Sequence, residues 1–90
     1  MTINQEKVER LHVDDLYTTT DLALATAISL FFPIEAIDKT SNSYKAQFLF
    51  RRSKELDQLV EAVWKNELKV PPLAYFSQLK NIKARLYASK

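Results

Sequence analysis

The chain has 90 residues and no glycine, where average usage would place roughly six. Glycine supplies positive backbone φ and lets a main chain press against a phosphate. Without it the sequence holds no P-loop, no dinucleotide fingerprint, no nucleophile elbow and no kinase-type phosphate loop. Cysteine is also absent and histidine occurs once, as His12. No disulfide framework and no thiolate metal site can form, and the lack of cysteine fits a reducing cytoplasm. The longest apolar stretch, Leu22 to Ile34, is broken by Thr26, Ser29 and Pro33 and is too short for a membrane span. It also lies too far along the chain, behind too many acids, to read as a signal peptide. These absences point to a cytoplasmic chain with no membrane contact and no cofactor.

What is present fits one modest globular domain. Apolar residues make up 47% and charged residues 27%, ordinary folded-protein values. A chain of this length buries a little over ~60% of its unfolded surface, and its stability should be on the order of 5–9 kcal/mol. The net charge of +2 hides an uneven distribution. Residues 1–21 carry five acids against Lys7 and Arg10, whereas residues 69–90 carry Lys69, Lys80, Lys83, Arg85 and Lys90 and no acid. A basic end on a near-neutral protein suits a polyanion, although a solvated helix face has the same composition.

Residues 1–15 show only a weak helical pattern and read as an amino-terminal arm, with residues 16–90 as a single compact domain. Tyr17 to Thr20 is β-prone. Thr19 or Thr20 is expected to cap a helix from Asp21 to about Phe32, with Asp21 in its first turn. That helix is apolar nearly all round and should be the central core element. Pro33 ends it, and Ile34–Lys39 follows as a strand. Thr40–Ser43 reads as a turn, with Asn42 taking the left-handed conformation. From Tyr44 to Arg51 the chain alternates: Tyr44, Ala46, Phe48 and Phe50 on one face, Lys45, Gln47, Leu49 and Arg51 on the other. The spacing predicts a β-hairpin over 34–51 with one buried face.

Ser53 should cap the next helix, whose stripe is Leu56, Leu59, Val60, Val63 and Trp64. Trp64 is expected in the core or half-buried, with partner anchoring as its other reading. Asn66 should close this helix in place of glycine. Leu68 and Val70 read as a short extended link. Pro71-Pro72 starts a last helix in which Tyr75, Leu79, Ile82 and Leu86 share an arc. The expected fold is α+β: β-α-β-β-α-α, a short antiparallel sheet packed by three helices.

Two surfaces carry candidate chemistry. On the last helix Phe76, Lys80, Lys83 and Tyr87 fall beside the apolar arc, with Arg85 adding a further cation. Alternating cations and rings bind nucleic acid, lysines meeting phosphates and rings stacking on bases. The same pattern arises when Phe76 completes the core and lysines cover its rim. On the hairpin, Lys45, Gln47 and Arg51 share a face that Arg52 terminates. That face is a basic ribbon if open and ordinary solvated strand if not, and Leu49 becomes core if helices cover both sides.

The remaining clusters carry little. His12 with Asp14 and Asp15 lacks the three fixed ligands of a catalytic zinc site. Glu67-Leu68-Lys69 has the acid-x-lysine half of a nuclease site but no second carboxylate placed to share a metal. No hydroxyl has a base at recognisable spacing.

Three segments together carry a family resemblance: Tyr17-x-Thr19-x-Asp21-Leu22-x-Leu24-Ala25; the strand ending Phe48-Leu49-Phe50; and Glu67-Leu68-x-Val70-x-Pro72 leading to Tyr75-Phe76-x-x-Leu79-Lys80-x-x-Lys83-x-Arg85-Leu86-Tyr87. Over residues 17–87 they resemble a family of small bacterial and phage proteins known as a domain of unknown function. Members often have a glycine between the first helix and the hairpin, where this chain has Phe31-Phe32-Pro33. The resemblance implies a compact module in microbial and mobile-element settings and transfers no catalytic residue. The resulting expectation is a non-enzymatic binding module. Its partner would be single-stranded or duplex nucleic acid, met by Lys80, Lys83, Arg85, Tyr87, Arg51 and Arg52. The alternative is a protein–protein module, a homodimer or a subunit of a larger assembly, joined through Phe76 and Tyr87.

Overall fold

The computed structural model describes residues 15–39 and 45–88. The elements run β1 (Leu16–Thr19), α1 (Leu22–Ser29), β2 (Ala36–Asp38), β3 (Gln47–Arg51), α2 (Lys54–Trp64) and α3 (Pro72–Ala88). This is the expected α+β order of three strands and three helices. His12, Asp14 and the Thr40–Ser43 turn with Asn42 lie outside the described residues.

The strands form one antiparallel sheet in the order β1-β3-β2. β3 is central, hydrogen-bonded to β1 along one edge and to β2 along the other. Tyr17 pairs with Phe50, and Thr19 and Ile37 flank Phe48 from either neighbour. Phe48 and Phe50 are fully enclosed against Leu24, Ile28, Leu56, Val60 and Ile82, each contributing about 1.5–3 kcal/mol of burial. Alternation then sends Leu16, Thr18, Ala36, Gln47, Leu49 and Arg51 to the opposite face. The core helices α1, α2 and α3 all lie on the Phe48 face, so Leu49 is half-buried among its strand neighbours rather than core. The strands are shorter than the alternation suggested. Glu35 nevertheless donates its backbone N–H to Leu49 O at 2.7 Å, prolonging the β2 edge by one pairing.

The cap of α1 differs from expectation. Asp21 itself is the cap: its Oδ1 accepts from the N–H groups of Ala23 (2.9 Å) and Leu24 (3.2 Å). Thr19 instead accepts the Asp21 N–H on its Oγ1 at 3.0 Å. A carboxylate takes two orphan N–H groups at once and meets the helix dipole, which a hydroxyl does less strongly. The helix also ends at Ser29, before Phe32. Its last turn tightens so that Phe31 N–H bonds to Ile28 O at 2.9 Å, and Phe31 is left exposed. Thr26, fully buried, satisfies its hydroxyl on Leu22 O at 2.8 Å.

Ser53 caps α2 as expected, accepting from Leu56 N–H at 3.0 Å. At the other end Asn66 has φ 61°, the one positive φ outside glycine among the described residues. Asn66 N–H bonds to Val63 O (3.0 Å) and Glu67 N–H to Ala62 O (2.8 Å). That pair of reversed bonds is a Schellman closure, here built on asparagine.

Candidate interaction surface

Helix α3 begins at Pro72, whose fixed φ suits a first helical position. Good helix formers such as Leu, Ala, Gln, Lys and Arg carry it for 17 residues. Its inward arc is the expected one: Ile82 is fully buried, and Tyr75, Leu79 and Leu86 are half-buried. Two polar tethers fix it. Tyr75 Oη donates to Ala23 O at 3.2 Å, and Lys39 Nζ donates to Leu86 O at 2.6 Å. The helix is therefore held near both ends while most of its circumference faces outward.

That outward surface bears three of the five large apolar side chains left exposed among the described residues, Leu73, Phe76 and Tyr87; the other two are Trp64 at the end of α2 and Phe31 after α1. Leu73 is 82% exposed, Trp64 66%, Tyr87 64% and Phe76 58%. Exposure decides between the two readings of Phe76 and corrects the expectation for Trp64. Phe76 does not complete the core, because it lies about 100° around the helix from Tyr75 and clears the arc that meets α1. Trp64 is neither core nor half-buried. It sits at the edge of the Leu56–Val60–Val63 stripe in the last turn of α2, where the packed face runs out. Leu73 was not singled out by sequence reasoning. Its signal was present, because Leu73, Phe76, Lys80, Lys83 and Tyr87 recur at 3-4-3-4 spacing.

At about 100° per residue these five positions form one flank of α3, roughly 21 Å long between Leu73 and Tyr87. Lys80 and Lys83 are exposed there. Arg85 is not among them: two positions past Lys83, it stands about 160° away around the helix, on the other flank. Arg85 is exposed and already engaged in an interaction of its own.

The hairpin arginines sit elsewhere. Arg51 pairs with Leu16 at one end of β3, while Gln47 pairs with Asp38 at the other. Lys39, which tethers α3, adjoins the Asp38 end. The length of β3, about 13 Å, thus separates Arg51 from that tether. Arg52 is occupied locally: its Nε lies 3.4 Å from Asp57 Oδ1, and its guanidinium stacks 5.8 Å from the Tyr17 ring centroid. Burial of Tyr17 raises its phenol pKa above the usual 10, with the Arg52 charge opposing part of that rise. The structure therefore gathers Phe76, Lys80, Lys83 and Tyr87, and leaves Arg85, Arg51 and Arg52 apart from them.

A groove of about 270 Å³ opens beside the amino-terminal end of α3. Leu24, Ala27, Val63 and Leu68 wall it, and Asp21 and Trp64 also line it. Tyr75 lines the same groove and meets Phe76 edge-on at 5.9 Å between ring centroids. The acids near the Glu67-Leu68-Lys69 segment do not converge. Asp57 is taken by Arg52, and Glu61 pairs with Lys65 at 3.2 Å one helical turn away. Among the described residues no three acidic, histidine or cysteine side chains gather as metal ligands, and no helix is long and apolar enough to cross a membrane.

The match to known proteins is at the level of the family. A family model described as Domain of unknown function (DUF5659) covers residues 14–88. The chain belongs to that family. No curated protein and no solved structure matches it. DUF5659 membership spans every element from β1 to α3, so the exposed α3 flank lies within the family's domain.

Proposed function

We propose that this chain is a non-enzymatic protein-binding module whose contact surface is the outer flank of α3. The observation that carries the reading is the exposure of Leu73, Phe76 and Tyr87 along one flank of α3. Large apolar side chains grouped this way mark interaction sites, whereas single exposed ones do not. Aromatic residues are also the usual anchors of protein interfaces. The non-enzymatic part rests on composition: one histidine, no cysteine and no glycine. The lack of cysteine favours a reducing compartment such as a cytoplasm, and the family resemblance favours a microbial or mobile-element setting.

A photo-crosslinking residue placed at Phe76 tests this in cells. Discrete protein adducts, insensitive to nuclease and missing when the probe replaces Gln58 on α2, are the expected result. Adducts to nucleic acid, or none, would overturn it.

A second reading has an observation of its own. Phe76, Lys80, Lys83 and Tyr87 alternate rings and cations on one flank, and no acid follows Glu67. Nucleic acid would use the lysines on phosphates and the rings on bases. Two lysines, however, neutralise only about two phosphates, a shallow salt dependence, and Arg51, Arg52 and Arg85 do not extend the track. Fluorescence anisotropy with labelled single-stranded DNA, single-stranded RNA and duplex decides it. Saturable micromolar binding that weakens with salt and disappears in K80E/K83E would establish this reading in place of the first.

A further inference from the structure

We infer that the outer flank of α3 receives one amphipathic helix of a partner protein, carrying the pattern apolar-x3-acid-x2-acid-x3-apolar. The inference rests on the reading of this flank as a protein-binding surface and specifies the partner's chemistry. Positions 73, 76, 80, 83 and 87 repeat every 3.5 residues on average, which is the seam spacing of two packed helices. A straight helix drifts only about 20° per heptad from that repeat, so over two heptads the five side chains stay on one flank.

The seam is not uniform. Leu73 and Phe76 are apolar at one end, Tyr87 at the other, and Lys80 and Lys83 occupy the middle, all exposed. No acid lies anywhere on α3 to neutralise the two lysines from within the helix. A partner helix covering the seam must therefore bring two carboxylates opposite them or leave two ammonium groups facing apolar side chains. The complementary spacing is a 3-residue step between the acids and a 4-residue step to each apolar neighbour. That pattern reads the same in both directions, so it holds for parallel and antiparallel docking.

The same middle pair argues against a second copy of this chain. Parallel pairing sets Lys80 against Lys80 and Lys83 against Lys83. Antiparallel pairing about the middle of the seam sets Lys80 against Lys80 or Lys83. Like charges on facing helices are destabilising in every one of these registers. At the amino-terminal end the apolar surface continues, because Phe76 meets Tyr75 edge-on and Tyr75 shares the groove with Trp64.

The test uses the full chain, isotopically labelled, and synthetic helical peptides of roughly 20 residues, long enough to hold a helix. One carries the proposed pattern with glutamate, and the control carries lysine at both acidic positions. The glutamate peptide should shift the amide resonances of residues 73–87, and the lysine peptide should bind about tenfold more weakly, as two exposed charge pairs imply. K80Q/K83Q should erase the discrimination, and K80E/K83E should reverse it. Equal affinity for the two peptides, or shifts centred away from α3, would overturn the inference. So would a tenfold gain in glutamate-peptide affinity in E6K/E9K, since the chain's own amino-terminal acids would then be covering the flank. If the Phe76 probe captures a protein while the glutamate peptide fails to bind, only the partner chemistry falls. If the probe captures none, the protein-binding reading falls with it.

Discussion

Lys39 Nζ donates to the carbonyl oxygen of Leu86 at 2.6 Å across 47 positions of sequence. The bond places an ammonium group on one of the four carbonyls that a helix leaves unpaired at its end, where the dipole favours a cation. It also locks the end of β2 to the last turns of α3. Lys39→Met keeps most of the stem and removes the charge and the donor. It should cost about 1–2 kcal/mol in a urea titration. Hydrogen exchange at residues 84–88 should rise more than in α2. Uniform destabilisation without local fraying would show that the bond does not anchor the helix end.

Much of this framework is legible from local pattern. The alternation around Phe48 and Phe50 identifies the buried face of β3 because a pleated strand leaves no other choice. Asn66 is recognisable as a helix stop because a chain without glycine has few other residues that tolerate positive φ. The cap of α1 was harder, since Thr19, Thr20 and Asp21 are all good caps and only the final backbone angles choose among them. Trp64 shows a different limit. Periodicity defines an arc, but the width of the packed part depends on what lies against it. Strand order is set by long-range pairing and has no local signal. Most of the α3 flank is legible as well, since Phe76, Lys80, Lys83 and Tyr87 fall together at about 100° per residue; only Leu73 escapes, because it stands in the first turn after Pro72, outside the run of alternating rings and cations.

Asn66 offers a measurement of what the missing glycine costs. A non-glycine residue at φ 61° pays a steric penalty that glycine avoids. Asn66→Gly should therefore raise stability by about 0.5–1 kcal/mol, and Asn66→Ala should lower it by about 1 kcal/mol. Equilibrium denaturation of the three forms checks both signs. A destabilised glycine variant would mean that the asparagine side chain contributes more than its backbone tolerance.

The two sides of α3 should respond oppositely to truncation. Ile82 is fully enclosed by core residues, so Ile82→Ala should cost about 2–5 kcal/mol through lost burial and an unfilled cavity. Phe76→Ser and Tyr87→Ser remove rings that face solvent and should stay within about 0.5 kcal/mol of the parent. Thermal melts separate these cases. A large loss on Phe76→Ser would mean that the ring supports the fold and would remove it as an interface anchor.

Tyr17 gives the pH dependence. Burial raises its pKa above the ordinary value of 10.0 despite the nearby Arg52 guanidinium. The folded chain therefore holds the phenol proton more tightly than the unfolded chain does. Below the unfolded value both states are protonated, and the group contributes nothing to the pH slope. Above it, the unfolded state loses the proton first, so stability falls until the folded pKa is passed. Lysines titrate in the same range, so the comparison must be made against Tyr17→Phe, which lacks the phenol. The difference in unfolding free energy between parent and Y17F should be constant up to about pH 10 and then shift against the parent as pH rises. A difference that stays flat, or moves in the parent's favour, would show that Tyr17 ionises as readily in the folded chain as in the unfolded one.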